Sequence, residues 1–503
     1  MNTNNQIKTG AILTYISIGI NILAGFIYTP WIINQIGSSD YGLYTLANSL
    51  ISLFLLDFGL SSATSRYLSK YVAEGNQEKA DRFLGTIYKL YLIIDAVIFI
   101  ALIVIFLFID IIYANLTPQE ITKFKVVYSI AALYAVINFP FVTLNGVLTA
   151  YEKFFQLKLA DIISRVLIVL LTVGALALGL GLYSLVLVNA VAGILIIVYK
   201  LIVINKVTPI KVSFEKSEKG LYKSIFKFSL WTTVIILAER MVFNFTPTIL
   251  GIVSNSTAIA IFGVITTIEH YSYLLTSAIN GLFLPKLSKI YMSKEGDADI
   301  MPLMIKVGRF QFAINSLIVV GFAVVGKSFI TLWMGNDFRL AYMGILFVII
   351  PGMFYNPLQI ANTAMVVKNK LKEQAIVILI TGLFYVTCSF VLSYKFGVLG
   401  ACFSIFLAYL IRAVLFHILY NKCLKINILY FMKKCYLRML PSVIITLITG
   451  ILLNCVFASD GWIMLAFKAI LLLFAFIISI LMFCLTKQER NGIVKSVLPL
   501  FKR

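Results

Sequence analysis

Ionisable side chains near the middle of two long apolar segments are the residues with the clearest capacity for chemistry. Glu239 and Arg240 lie in the segment 228–253, and Glu269 lies in the segment 258–284. A charge at that depth in a bilayer costs at least about 2.5 to 3.5 kcal/mol, so these groups are expected to face protein or water. We interpret the two segments as the charged wall of a cavity, where a guanidinium binds an anion and a carboxylate exchanges an ion. In the structural alternative, Glu239 or Glu269 neutralises Arg240 across the helix pair.

Four further charged residues lie inside apolar segments, too deep to reach the interface easily. They are Asp57, Asp95, Arg165 and Arg412. Intramembrane ionisable groups of this kind usually mark the path of a substrate or an ion. Two of them also have a structural interpretation. Asp57 would bond the backbone at the following Phe58-Gly59 break, and Arg165 would pair with Asp161 one helical turn earlier.

The composition predicts an integral membrane protein. Hydrophobic residues make up 61% of the 503 residues, charged residues make up 13%, and the mean hydropathy is +0.97. A soluble domain of this length is far less apolar. The net charge of +21 comes from basic residues in short loops between apolar runs, and they form no basic domain of the kind that binds nucleic acid. We therefore expect no nucleic-acid partner.

The polar residues outside the spans do not predict catalysis or a cofactor. The six cysteines show no CxxC spacing, and the two histidines lie in different apolar segments. The loops are short and hold mostly Lys, Ser and isolated carboxylates, which do not form a set of acid, base and nucleophile. The sequence predicts no catalytic residue, no metal site and no cofactor.

Apolar windows of about 20 residues give about fourteen candidate spans. They begin near residues 11, 43, 85, 126, 159, 183, 228, 258, 310, 342, 374, 398, 440 and 463. If the N-terminus is cytoplasmic, 33 of the 42 Lys and Arg residues lie in or beside cytoplasmic segments and four lie outside. Positive residues are retained inside, so both termini are predicted to be cytoplasmic.

An internal repeat divides the predicted spans into two bundles. The sequence from Arg66 to Tyr71 has a counterpart in Pro285 to Tyr291, and Leu148-Thr-Ala has one in Asn362-Thr-Ala. A period of about 215 residues predicts two six-helix bundles related by an axis along the membrane normal. The predicted parts are an N-lobe of helices 1–6 (1–205), a cytoplasmic linker (206–227), a C-lobe of helices 7–12 (228–420), and helices 13–14 with a basic cytoplasmic tail (421–503).

Three motifs resemble those of a known transporter family. They are Gly37-Ser-Ser-Asp-Tyr-Gly-Leu-Tyr, Asp57-Phe-Gly-Leu followed by Arg66, and the stretch from Leu148 to Phe155. With the layout of six, six and two helices, the chain resembles the polysaccharide transporters of the MOP exporter superfamily. The nearest resemblance is to the Wzx-type flippases for O-antigen or capsule repeat units.

This resemblance implies a flippase of the bacterial cytoplasmic membrane. It would move an undecaprenyl diphosphate-linked oligosaccharide between leaflets by alternating access, for O-antigen, capsule or exopolysaccharide synthesis. Membrane lipids and the polysaccharide polymerase machinery are the implied partners. Arg240, Arg165 and Arg412 are the predicted cations for the diphosphate.

Sugars and a coupling ion need further side chains. The predicted sugar ligands are Asn21, Asn48, Asn244 and Asn280. The candidates for coupling to protons or sodium are Glu269, Asp57, Asp95 and Glu239. The alternative is a cation-coupled multidrug antiporter of the MATE type. Many of those proteins have twelve spans and a proton-binding carboxylate on helix 1, whereas helix 1 of this chain has no formal charge.

Overall fold

The computed structural model shows a helical protein. It describes residues 19, 22–23, 25–215, 221–277, 300–368, 370–457 and 461–484, with only the backbone for 221–224 and 226–229. Within these residues there is no β-strand. The predicted all-α fold is confirmed.

Ten helices occupy the described part of the chain up to residue 253. They are α1 (25–36), α2 (Ser38–Phe54), α3 (Leu60–Ala73), α4 (Gln77–Ile112), α5 (Pro118–Asn138), α6 (Thr143–Ala150), α7 (Phe154–Ala177), α8 (Gly181–Val207), α9 (Leu221–Phe243) and α10 (Thr246–Val253). A 3-10 turn, Phe139–Val142, joins α5 to α6.

Nine helices follow in the described part of the remaining chain. They are α11 (Ser256–Ser277), α12 (Met301–Met334), α13 (Leu340–Ile349), α14 (Gly352–Tyr355), α15 (Gln359–Val367), α16 (Leu371–Leu424), α17 (Ile428–Met432), α18 (Arg438–Val456) and α19 (Trp462–Ser479). Short 3-10 or π segments are Asn336–Phe338, Asn356–Leu358, Lys433–Leu437 and Ile480–Cys484.

Eleven helical segments of the described chain are long and apolar enough to cross a membrane. The second predicted span is not among them because it is broken into α2 and α3. Helix α16 has 54 residues and covers two predicted spans. Much of the first predicted span lies outside the described residues. The chain is thus a multi-pass membrane protein, and the number fourteen stays a prediction.

Glycines with positive φ separate consecutive long helices at two places. Gly179, between α7 and α8, has φ 75°, and Gly181, the first residue of α8, has φ 63°. Gly397 interrupts α16 with φ 55° and ψ −135°. Residues with a Cβ rarely adopt this left-handed region. Gly181 and Gly397 lie about one period of the sequence repeat apart, and each place divides two predicted spans.

The chain forms two compact units. Unit 1 comprises Met1–Val264 and Ile378–Ala401, and unit 2 comprises Ile265–Val377 and Cys402–Arg503. In unit 1, α3 packs against α4 and α6, while α8 packs against α5 and α7. In unit 2, α12 packs against α18 and α19. Helices α9 and α10 belong to unit 1, and the predicted lobe boundaries at 205 and 228 stay a prediction from the repeat.

The extended segment 208–215 lies along the start of α4 in unit 1, and we call it the linker strap. The Asp81 carboxylate accepts a hydrogen bond from the Lys211 N–H at 2.9 Å, and the Asp81 carbonyl accepts one from the Ser213 N–H at 3.2 Å. A Cβ at Gly85 would lie 1.8 Å from the Ser213 carbonyl oxygen. The strap therefore requires glycine at this position of α4.

Candidate functional site

The second predicted span is broken at Asp57, between α2 and α3. Phe58 has φ 50° and Gly59 has φ 68°, so both residues are left-handed. The Asp57 carboxylate accepts a hydrogen bond from the Gly59 N–H at 2.9 Å, and its carbonyl accepts one from the Leu60 N–H at 2.8 Å. The Asp57 side chain thus bonds the backbone at the break, in agreement with its structural interpretation.

The break leaves a backbone carbonyl for Arg240. In a continuous helix the Ser52 carbonyl accepts a hydrogen bond from the Leu56 N–H, but here that N–H bonds the Phe54 carbonyl at 2.8 Å. The guanidinium of Arg240, on α9, donates a hydrogen bond to the Ser52 carbonyl. Arg240 is half-buried and near enough to Asp57 for an electrostatic interaction. A guanidinium has five N–H donors, so a cation anchored in this way can still bind an anion.

Arg165 lies on α7 beside polar groups of α1, α2 and α8. Its side chain is exposed and interacts electrostatically with Tyr28 and Tyr44. The Tyr44 hydroxyl accepts a hydrogen bond from the Asn189 amide at 3.0 Å, and the Tyr44 carbonyl accepts one from the Asn48 amide at 3.0 Å. The structure therefore brings Arg165 and Asn48, two predicted site residues, into one polar region around Tyr44.

Asp161 does not pair with Arg165. Its carboxylate accepts a hydrogen bond from the Lys158 ammonium at 3.2 Å. The half-buried Lys200 lies near this pair and donates to the Asn145 side-chain oxygen at 2.8 Å. The structural alternative for Arg165 is thus not the arrangement observed, and the Arg165 charge remains available to a ligand.

Asp95 is a buried carboxyl group on α4. The residue is 9% exposed, and Oδ1 has no hydrogen-bond partner within the described part of the chain. The fully buried Tyr91 lies one turn earlier on the same face and interacts electrostatically with Asp57. Burial of a charge is costly without a compensating cation or proton. This environment suits a group that exchanges an ion.

Glu120 links three helices at the predicted outer end of unit 1. It forms a capping box with Thr117 at the start of α5. Its Oε1 also accepts hydrogen bonds from the Ser39 hydroxyl at 2.6 Å and from the Ser256 hydroxyl. A Cβ at Gly42 would lie 2.0 Å from the Ser256 carbonyl oxygen. We call these contacts between α2, α5 and the start of α11 the outer seam.

The remaining predicted residues are dispersed. Glu239 and Asn244 are half-buried on α9 and at the turn before α10, Glu269 is half-buried on α11, and Asn21 and Asn280 lie outside the described residues. Arg412 is fully buried on α16, with its guanidinium carbon 4.6 Å from the centre of the Tyr409 ring. A ligand would reach Arg412 only after this packing opened.

A buried amide network in unit 2 was not predicted. The Asn356 amide donates to the Asn315 side-chain oxygen at 3.0 Å and to the Thr276 hydroxyl at 3.2 Å. The Asn315 amide donates to the Gln311 carbonyl at 2.8 Å. The available signal was Gln311 and Asn315, one turn apart in an otherwise apolar segment. All four side chains are at least nine-tenths buried, so the network holds helices of unit 2 together.

The chemistry of these groups is that of binding. Unit 1 offers an anchored guanidinium at Arg240, an exposed one at Arg165, and amides and hydroxyls near Tyr44. No group of three or more His, Cys, Asp or Glu that would hold a metal ion occurs in the described ranges. Such an arrangement can bind an anionic, hydroxyl-rich molecule.

Sequence comparison gives the family. Residues 7–291 match the family described as polysaccharide biosynthesis protein. The chain belongs to this family. The matched region of the family member contains Asp57, Asp95, Arg165 and Arg240, together with the outer seam. Among curated proteins, no sequence matches significantly.

Solved structures of transporters share the fold of this polysaccharide biosynthesis protein. Lipid II flippase MurJ in an inward closed conformation aligns with a TM-score of 0.70 and 14% identity, covering 93% of this chain and 97% of its own. An inward-facing MATE family transporter of the MOP superfamily aligns with a TM-score of 0.69 and 12% identity, covering 84% and 99%. The MATE multidrug transporter DinF-BH aligns with a TM-score of 0.61 and 15% identity, covering 85% and 96%. These likenesses show the fold.

Proposed function

We propose that the protein is a Wzx-type flippase of the bacterial cytoplasmic membrane. It moves undecaprenyl diphosphate-linked oligosaccharide repeat units from the inner to the outer leaflet, for the synthesis of O-antigen, capsule or exopolysaccharide. Both termini face the cytoplasm in this proposal. Membership of the polysaccharide biosynthesis protein family supports it, as does a fold shared with a lipid II flippase.

The observation that carries the proposal is the anchoring of Arg240 at the break in the second predicted span. A diphosphate carries negative charge that must be compensated where water is scarce, and charge-assisted hydrogen bonds from a guanidinium do this well. The bond to the Ser52 carbonyl fixes Arg240 without neutralising it. The diphosphate head group would therefore bind a cation whose position is already fixed.

The polar region around Tyr44 supports a path for the sugars. Arg165 suits the second phosphate or an acidic sugar, and the amide of Asn48 suits sugar hydroxyls. Asn244, in the turn that precedes α10, is the proposed further amide ligand for the sugars. The lipid tail stays in the hydrocarbon of the bilayer, so its movement between leaflets exposes no apolar surface to water.

Ion coupling completes the proposed cycle. Among the candidates Asp57, Asp95, Glu239 and Glu269, we favour Asp95 because its carboxyl oxygen is buried without a described partner. A carboxyl group in such a site exchanges a proton or sodium when its exposure changes. Alternating access would change that exposure once in each cycle.

Deletion and complementation in the native host test the proposal. Deletion should remove surface polysaccharide and cause lipid-linked repeat units to accumulate on the inner leaflet. The wild-type gene should restore both, whereas Arg240→Ala should not, at equal protein level. Normal polysaccharide in the deletion strain, or no accumulation of lipid-linked sugars, would contradict a flippase role.

The competing function is multidrug antiport of the MATE type, because several transporters of that type share the fold. The cations Arg240 and Arg165 argue against it, since a positively charged site repels an organic cation. Proteoliposomes loaded with a fluorescent organic cation distinguish the two functions. Gradient-driven export of the dye by the purified protein would favour the antiporter.

A further inference from the structure

An open pocket of about 370 Å³, lined mostly by short hydroxyl side chains, lies between α3 and α6 in unit 1. Five hydroxyl-bearing residues line it: Ser61, Ser62, Ser65, Ser69 and Thr149. We call it the serine pocket. No aliphatic or aromatic side chain is among its lining residues.

Two cationic side chains lie in or beside the serine pocket. Arg66 lines the cavity together with Asn145. The Asn145 side-chain oxygen accepts a hydrogen bond from the Lys200 ammonium at 2.8 Å, which holds Lys200 at the pocket. Hydroxyl donors combined with a guanidinium and an ammonium recognise phosphate oxygens. The pocket hydroxyls can also form hydrogen bonds with the hydroxyls of a sugar.

Glycine lets the two walls of the serine pocket approach each other. A Cβ at Gly146 would lie 2.7 Å from the Ser61 carbonyl oxygen and 2.9 Å from the Thr64 Cβ. Behind this contact the buried Thr64 and Thr143 hydroxyls lie 3.3 Å apart. The close α3–α6 contact at Gly146 thus adjoins the pocket, and Ser62, Arg66 and Ser69 are its exposed lining residues.

The open side of the serine pocket must face water. Arg66 lies about 10 Å from the end of α3 at Ala73, which is the predicted cytoplasmic end. A face of hydroxyls and a guanidinium at that depth would be costly against acyl chains. We expect the pocket to open to the cytoplasm, because α3 is predicted to end on that side of the membrane.

The serine pocket and the Arg240 site lie on the same broken helix pair. The pocket residues begin at Ser61, just after the break at Asp57, and the Ser52 carbonyl that binds Arg240 lies just before it. A head group that moves from the pocket toward the break would approach Arg240. The break is the boundary between the two sites.

We propose that the serine pocket is a loading site, where the diphosphate-sugar head group binds from the cytoplasmic leaflet before it reaches Arg240. This inference rests on the proposed function and adds a first binding position to it. Arg66 and Lys200 take the phosphates, and the serine hydroxyls take phosphate or sugar oxygens. Anionic phospholipids carry the same phosphate chemistry and are the other source that must be tested.

Lipid titration of the full-length protein tests the proposal without transport. The Arg240→Ala protein is placed in nanodiscs of neutral phosphatidylcholine and titrated with undecaprenyl diphosphate, and binding is followed by native mass spectrometry. In this background, Arg66→Gln should weaken binding by about tenfold or more, because it removes a charged donor. Ser65→Leu should have a similar effect by filling the cavity with its charge unchanged.

The matched control is Lys70→Gln, which removes one positive charge from the exposed side of the same helix. Lys70 pairs with Glu74 at 3.8 Å and does not line the pocket. Undecaprenyl diphosphate binding should stay unchanged in this variant.

Two results would overturn the proposal. One is unchanged binding of undecaprenyl diphosphate in both pocket variants. The other appears in nanodiscs that contain phosphatidylglycerol: if Arg66→Gln abolishes only phosphatidylglycerol binding, the pocket is a phospholipid site. A failure of the flippase function is distinguishable, since the wild-type protein would then flip no lipid-linked sugar while head-group binding still depended on Arg66.

Discussion

The guanidinium of Arg240 donates a hydrogen bond to the carbonyl of Ser52, across the point where the second predicted span is broken. This carbonyl lacks its helical partner because the Leu56 N–H bonds Phe54 instead. One residue thus completes the backbone bonding of α2 and supplies a cation for the proposed substrate. Substitution of Arg240 should therefore affect both stability and transport.

Arg240→Ala is expected to lose both roles. The unsatisfied Ser52 carbonyl should lower the free energy of unfolding by about 1 to 3 kcal/mol, and surface polysaccharide should disappear. Arg240→Lys keeps the charge and one donor, so it should retain part of each. Thermal unfolding of the purified variants and polysaccharide staining of cells measure the two effects.

Arg165→Ala is the variant with which the stability of Arg240→Ala is compared. Arg165 is exposed and makes no hydrogen bond or ion pair with described residues, so its loss should reduce polysaccharide and leave unfolding unchanged. Equal destabilisation by Arg165→Ala and Arg240→Ala would contradict the anchoring role of the Ser52 bond.

The outer seam should open when Gly42 gains a side chain. In Gly42→Ala the new Cβ would lie 2.0 Å from the Ser256 carbonyl oxygen, so α2 and the start of α11 must separate. Leu46 is fully buried and packs near Gly251 on α10, so Leu46→Cys reports the opening. Labelling of this cysteine by a membrane-impermeant maleimide from outside should increase several-fold.

The labelling is measured with the exposed Cys455 replaced by Ser, and Gly321→Ala serves as the control. A Cβ at Gly321 would have no atom within 4 Å. Equal labelling in the Gly42 and Gly321 variants would show that the seam does not depend on the close approach of α2 to Ser256.

Gly85→Ala should release the linker strap from α4. The added Cβ meets the Ser213 carbonyl at 1.8 Å, which should break the two hydrogen bonds that Asp81 makes to the strap. Trypsin cleavage after Lys211 in inside-out vesicles should then become about tenfold faster or more, because proteolysis follows the opened population. Gly174→Ala, where a Cβ meets nothing within 4 Å, should cleave like the wild type. Unchanged cleavage in Gly85→Ala would mean that the strap does not need this contact.

Features coded by local sequence were predictable. The apolar segments gave the helical class and the positions of most spans, and the Phe58-Gly59 pair marked the break at which Asp57 bonds the backbone. The glycines at 179–181 marked the end of α7. Each depends on the intrinsic behaviour of a few adjacent residues.

Partnerships between helices were not predictable. Lys158 rather than Arg165 pairs with Asp161. The Arg240 guanidinium donates to a carbonyl that lacks its helical partner only because α2 ends early. The buried Asn315–Asn356 bond joins residues 41 apart in sequence. In a membrane both the lipid and the core are apolar, so periodicity does not tell which helix face meets which neighbour.

Asp95→Asn should uncouple transport from the proton gradient. The amide is nearly the same size but does not ionise, so folding and binding of undecaprenyl diphosphate should be retained. Flipping of a lipid-linked sugar in proteoliposomes should no longer accelerate when a pH gradient is imposed.

Asp110→Asn is the control, since Asp110 lies on the same helix, is about half exposed and pairs with Lys125 at 2.6 Å. This variant should respond like the wild type, because an exposed carboxylate stays solvated throughout the cycle. Acceleration by the gradient in Asp95→Asn would exclude Asp95 as the coupling group and direct attention to Glu269, Asp57 or Glu239.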